Sequence, residues 1–171
     1  VKENYYEYSG KTYYFDQEGH METGIFEDKT GKRCMAEPSG AVITNPTKGW
    51  NKSSEADIWY YYKSNAEGDL YPVDNEMLNL NGKKYYIDWN GRMITGAFYY
   101  DGSTYFANTN GEIQEKASWY IDSKGNWYYV NDKGYLLLGA HTIDNVNVYF
   151  GTNGVQYKGD FAPDNHYYDK D

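Results

Sequence analysis

A glycine recurs along this chain at a nearly fixed interval, and that interval constrains the fold more than any other feature. It follows a Tyr-rich run at Gly19, Gly40, Gly68, Gly91, Gly111, Gly134 and Gly154, in steps of 21, 28, 23, 20, 23 and 20 residues. A unit of about twenty residues cannot bury a core by itself, so successive units must pack on one another. Nine positions upstream of most of these glycines stands a second turn residue, at Gly10, Gly31, Gly82, Gly102 and Gly125, with Asn145 in the last unit. Asn also tolerates positive φ. A third follows five residues downstream, at Gly24, Gly96, Gly139 and Gly159. Two residues after the main glycine come Met21, Val42, Leu70, Met93, Ile113, Leu136 and Gln156, of which all but the last are apolar and read as inward-facing.

Between the turns run short segments such as Thr12-Tyr13-Tyr14-Phe15, Lys84-Tyr85-Tyr86-Ile87, Thr104-Tyr105-Phe106-Ala107 and Trp127-Tyr128-Tyr129-Val130. Aromatic and β-branched runs bounded by Gly pairs predict strand–turn–strand units, with the main glycine at each hairpin tip. Composition agrees, because 6 Leu, 8 Ile and 7 Val are too few for an aliphatic core, whereas 22 Tyr and 5 Trp supply aromatic bulk. The expected fold is all-β, a β-solenoid of stacked β-hairpins. It forms a single array over 1–171 with about seven units and a partial last one at His166-Tyr167-Tyr168-Asp169. The third unit has a longer tip at 63–68, the second lacks aromatic residues across 32–36, and Pro46-Thr47-Lys48-Gly49 predicts a bend near 46–50.

A net charge of −9 disfavours a sequence-independent grip on nucleic acid or an anionic membrane. No run approaches the roughly 18 apolar residues that span a bilayer, so no membrane insertion is expected. The N-terminal residues 1–5 lack the regions of a signal peptide, so an export signal is expected outside this segment. One Cys excludes an internal disulfide, and Cys34 with three scattered His supplies no zinc spacing. Asp122-Ser123-Lys124-Gly125-Asn126 lacks the spaced ligands of a calcium loop. Asp16, Asp88 and Asp132 recur near tips, which is turn chemistry, and His20, His141 and His166 have no adjacent nucleophile motif. No metal, cofactor or catalytic residue is assigned, and no enzyme activity is expected.

The segments 10–24 (Gly-Lys-Thr-Tyr-Tyr-Phe-Asp-Gln-Glu-Gly-His-Met-Glu-Thr-Gly) and 82–96 (Gly-Lys-Lys-Tyr-Tyr-Ile-Asp-Trp-Asn-Gly-Arg-Met-Ile-Thr-Gly) resemble the cell-wall-binding, or choline-binding, repeat. Related repeats occur in glucan-binding glucosyltransferases and clostridial toxin tails. The resemblance covers nearly the whole chain and implies a secreted, cell-wall-associated bacterial module. In that family choline sits between consecutive hairpins, caged by the Trp that opens the aromatic triplet, the Trp that follows Thr-Gly, and an aromatic residue or Met from the next unit. Here the triplet Trp is present at Trp59 and Trp127, while Thr12, Lys84, Thr104 and Val148 hold that slot elsewhere. Trp50 and Trp119 stand in for the second wall, and Tyr86 and Tyr129 complete the candidate ligand residues. The resemblance implies a choline-decorated teichoic acid, a glucan or a peptidoglycan carbohydrate as partner, and allows a dimer. Packing is the competing role for every one of these rings. The alternative function is a structural spacer or protein-interaction array whose ligand sites have decayed, and a small hydrolase is the remote third.

Overall fold

The computed structural model describes residues 3–168, and every regular element among them is a β-strand. Contacts divide the chain into two compact units, one of residues up to Leu78 with Tyr86–Met93, the other of Asn79–Tyr85 with residues from Ile94 onward. The first holds β1 (Asn4–Tyr8), β2 (Lys11–Phe15), β3 (Gly24–Glu27), β4 (Arg33–Ala36), β5 (Gly49–Lys52), β6 (Trp59–Ser64) and β7 (Leu70–Pro72). The hairpin of β8 (Glu76–Leu80) and β9 (Lys83–Ile87) has residues in both units. The second unit continues with β10 (Gly96–Tyr100), β11 (Ser103–Ala107), β12 (Ser118–Ile121), β13 (Trp127–Val130), β14 (Gly139–Ile143), β15 (Val146–Phe150), β16 (Asp160–Phe161) and β17 (Tyr167–Tyr168). The pairs are antiparallel hairpins of neighbouring strands, except that β5, β6 and β7 form one three-stranded sheet. The segment 46–50 lies inside the first unit. Asp169 of the partial last repeat lies outside the described residues.

The expected turn assignment is corrected in one respect. The long hairpins close at the upstream turn residues, not at the main glycines. Ser9-Gly10, Asn81-Gly82, Asp101-Gly102 and Asp144-Asn145 each have positive φ at both positions, the geometry whose twist matches two paired strands. The main glycine belongs to a second tight turn, as where the Gly91 amide donates to the Asp88 carbonyl at 2.9 Å. After it the chain makes a single bridge back to its own strand, at Ile87↔Met93, Ala107↔Ile113, Val130↔Leu136 and Phe150↔Gln156. Side-chain acceptors fix this turn. Asp88 Oδ1 accepts the amides of Asn90 and Arg92 at 2.9 and 2.8 Å, and Asn131 Oδ1 accepts those of Lys133 and Tyr135. Asp16 does the same for His20 at 2.7 Å, so turn chemistry holds for Asp16 and Asp88, but in the later unit the acceptor is Asn131 and not Asp132.

In five connectors a backbone bond joins a hairpin to the one before it. The residue two past the main glycine donates its amide to the carbonyl of the strand residue that opens the preceding aromatic run. In the first unit these bonds are Val42 to Thr12 and Met93 to Trp59; in the second they are Ile113 to Lys84, Leu136 to Thr104 and Gln156 to Trp127, all at 2.7–2.8 Å. Ile113 and Leu136 are buried, as an inward position requires, whereas Met21, whose hairpin opens the series, stays 42% exposed. The rings beneath are close-packed. Tyr14 stacks on Phe26 at 5.1 Å in the first unit, where Met35, Tyr60 and Tyr62 form a second cluster. In the second unit Phe106 packs on Tyr128 at 4.8 Å beside Val130 and Leu136. Glu37 is buried in the first unit and accepts from Ser53 Oγ, the Ser54 amide and the Tyr60 hydroxyl at 2.7–3.0 Å, so that the tip of β5–β6 is tied to the end of β4.

Two stability predictions follow from these contacts. A Cβ at Gly31 meets nothing within 4 Å, so Gly31→Ala is expected to cost the strain of positive φ alone, about 1–2 kcal/mol. A Cβ at Gly91 would lie 2.2 Å from Met35 Cε and 2.9 Å from Ile25 Cδ1, and Met35 is buried. Gly91→Ala is therefore expected to lose about 1–3 kcal/mol more than Gly31→Ala, read from urea midpoints. Burial, with the hydrogen bond donated to Asp122, pushes the Tyr128 hydroxyl up to about 12 from an ordinary 10.0. The native fold favours the neutral phenol, so this stabilisation is complete below pH 10.0 and is lost as pH rises towards about 12. Tyr128→Phe is expected to weaken the alkaline loss of stability, measured by thermal melts across that window.

Candidate functional site

The register of β12 and β13 sorts the second unit's tryptophans onto one face. Trp119 lies opposite Tyr129 and Ile121 opposite Trp127, so these four side chains share a face. Tyr120, Tyr128 and Val130 point the other way, into the Phe106 cluster. Trp119 is the hub. Its ring meets Trp127 at 6.4 Å, Tyr129 at 5.2 Å and Phe150 at 5.8 Å, the first two edge-on. Trp127 is 38% exposed and offers a ring face outward.

The next hairpin completes an open groove beside these rings. Its cavity of about 300 Å³ is lined by Trp119, Trp127, Ile143, Asp144, Val146, Val148, Gln156 and Lys158. The connector is held there because the Gln156 amide donates to the Trp127 carbonyl at 2.8 Å. Two residues on, Lys158 Nζ lies 5.4 Å from the Trp127 ring centroid, a cation–π distance. The groove thus combines an aromatic wall, an aliphatic wall of Ile143, Val146 and Val148, and a polar edge of Asp144, Gln156 and Lys158. Such a surface can cover the C–H face of a sugar ring while the edge exchanges hydrogen bonds with its hydroxyls. The valines, Asp144 and Lys158 were not among the residues expected to bind. One break in the repeat marks the place in the sequence, Gln156 at the otherwise apolar position.

The other predicted residues are placed differently. In the first unit Trp50 lies opposite Tyr61 and packs edge-on against it at 4.9 Å. Trp59 lies opposite Lys52, whose Nζ is 5.7 Å from its ring centroid. Trp50 and Trp59 therefore share one face of β5–β6. Tyr86 is 6% exposed and donates its hydroxyl to Asn75 Oδ1 at 2.8 Å, so it offers no ring face to a ligand. Tyr129 is half-buried against Trp119 and supports that ring from the side.

The remaining polar candidates serve local structure. Asp122 Oδ1 accepts the Lys124 and Asn126 amides, and its carboxylate also accepts from Asn126 Nδ2 and Tyr128. Burial alone would raise its pKa, but these hydrogen bonds outweigh it and hold Asp122 below the ordinary carboxylate value. Asp16, Glu18 and His20 place ligand atoms within 4.8 Å of one another on an exposed turn, where Asp16 already accepts the His20 amide. His141 is within 2.9 Å of the Leu138 carbonyl, and His166 lies 3.6 Å from Asp164. Cys34 is half-buried and 3.5 Å from the Tyr5 hydroxyl. No helix among the described residues is long and apolar enough to cross a membrane.

The fold and the groove define an all-β hairpin-repeat chain with an aromatic surface site. Solved structures similar to it include choline-binding protein F from Streptococcus pneumoniae, with 21% identity over 97% of this chain and 55% of that one, at a TM-score of 0.46. A complex of CbpF with ipratropium matches at 28% identity over 86% of this chain and 42% of that one, TM-score 0.47. The modular autolysin LytC from Streptococcus pneumoniae, in complex with a synthetic peptidoglycan ligand, matches at 19% identity over 98% and 36%, TM-score 0.44. The chain spans about half the length of these structures, or less. No family model and no curated protein sequence matches it.

Packing separates the two tryptophans of the groove. Trp119→Ala removes a half-buried hub and is expected to cost about 2–3 kcal/mol of stability, somewhat less than a fully buried ring. Trp127→Ala is expected to cost less than about 1 kcal/mol, as an exposed ring should. Chemical denaturation followed by far-UV circular dichroism checks the contrast.

Proposed function

We propose that this chain is a non-catalytic binding module of a secreted or surface-attached bacterial protein, and that it holds its parent to cell-wall polymer or another surface carbohydrate. The observation that carries the reading is the open groove at Trp119 and Trp127, where an exposed ring face meets an aliphatic wall and a polar edge. Sugar rings are recognised by that combination, because their axial C–H groups pack on indole while their hydroxyls need donors and acceptors at the rim. The repeat resemblance supports the same reading and the extracellular setting. An array suits the role, since weak sites on one chain reinforce each other through effective concentration.

The test is retention. The chain is expected to co-sediment with isolated Gram-positive cell walls or with insoluble glucan, and Trp127→Ala is expected to reduce retention at least about fivefold while leaving the fold intact. Equal retention of both proteins, or none on either material, would count against a binding role and favour the spacer reading.

A further inference from the structure

We propose that Lys158 is the specificity-determining residue of the Trp119–Trp127 groove: its ammonium holds the position over Trp127 that a quaternary-ammonium ligand would need, so the groove discriminates against such ligands. The inference rests on the reading of this groove as a binding site. It begins with placement. Lys158 Nζ lies 5.4 Å from the Trp127 centroid, within the roughly 6 Å reach of a cation–π contact, and Lys158 lines the same groove as the ring.

The lysine is delivered there by the hydrogen bond that joins hairpins. The Gln156 amide is fixed on the Trp127 carbonyl, which brings the residue two further along beside the indole. At the equivalent place the other connectors carry Thr23, Thr44, Pro72, Thr95, Glu115 and Leu138. A lysine stands only in the connector bonded to Trp127. The other Trp that opens an aromatic triplet also has an ammonium, by a different route: Lys52 sits directly across the strand pair from Trp59, with Nζ 5.7 Å from its ring. In β12 the position matching Lys52 is Ile121, and there the connector supplies the cation instead. Two unrelated positions thus satisfy both triplet tryptophans from within the chain.

Charge then decides what the face can accept. A second cation on the same indole would lie at near-contact distance from Lys158, and in water the repulsion is of the same order as the whole attraction of an exposed ring for a cation. Asp144 lines the groove and on its own would favour a cationic ligand, but the cation is already supplied. An uncharged ring meets no such repulsion, and Lys158 can turn to donate to its hydroxyls.

The experiment titrates tryptophan fluorescence of the full chain with choline chloride, against sodium chloride at matched ionic strength, and separately with isomaltotriose. Lys158→Met keeps the methylene packing and removes the charge, and Lys158→Arg keeps the charge. The expected result is a saturable choline response in Lys158→Met, with an apparent affinity at least about fivefold above those of the wild type and Lys158→Arg, the factor one like charge at contact distance is worth in water. Adding Trp127→Ala to Lys158→Met is expected to abolish the gain, which assigns it to this groove and not to Trp59. The proposal is overturned if choline gives the same response in wild type and Lys158→Met, whether that response is strong or nil, or if the gain survives loss of Trp127. If the choline gain appears as expected but isomaltotriose gives no response in any variant, Lys158 keeps its role and the carbohydrate reading loses its support.

Discussion

The structure depends on a backbone hydrogen bond between hairpins. A two-stranded hairpin is marginal in water, and this chain has too few aliphatic residues to rescue each one separately. The connector amides of Val42, Met93, Ile113, Leu136 and Gln156 solve the problem within their units by bonding to a carbonyl on the preceding hairpin. Each bond sets the register between neighbours, and the register brings rings such as Phe106 and Tyr128 into contact. The main glycines serve this arrangement. Their turn reverses the chain so that the residue two positions on can reach both its own strand and the one before it.

The groove follows from the same register. Trp119 and Trp127 share a face because of the β12–β13 pairing, and Ile143, Val146 and Val148 reach them from the next hairpin. Trp119 is mostly a packing residue and Trp127 mostly a surface one, although both belong to one hairpin. Gln156, the one residue of the seven main-glycine-plus-two positions that is not apolar, is part of the lining of this groove.

Much of this was legible in the sequence, for identifiable reasons. Turn residues with positive φ have few substitutes, so Gly82, Gly102 and Asn145 marked turns directly. Which of two turns closes the long pairing was not legible, because both the upstream turn and the main glycine carry glycine signals. The choice is made by the single-bridge connector. Tyr86 and Tyr129 occupy matching places in their runs, yet one is enclosed with its hydroxyl on Asn75 and the other flanks Trp119. Sequence cannot separate them, since the difference lies in which side chains the fold brings beside each ring. Lys158 was invisible for the same reason: it lies thirty-one residues from Trp127 and meets it only through the Gln156 bond.

Amide hydrogen exchange resolved to single residues tests the central claim most directly. The account predicts that the amides of Val42, Met93, Ile113, Leu136 and Gln156, which lie in connectors outside the named strands, are protected as strongly as those of Tyr128 and Tyr105, which face their partner strands in hydrogen-bonded pairs. Exchange of these connector amides at the rate of exposed turns, with the strand amides still protected, would mean that the hairpins are held together by something other than the bond described here.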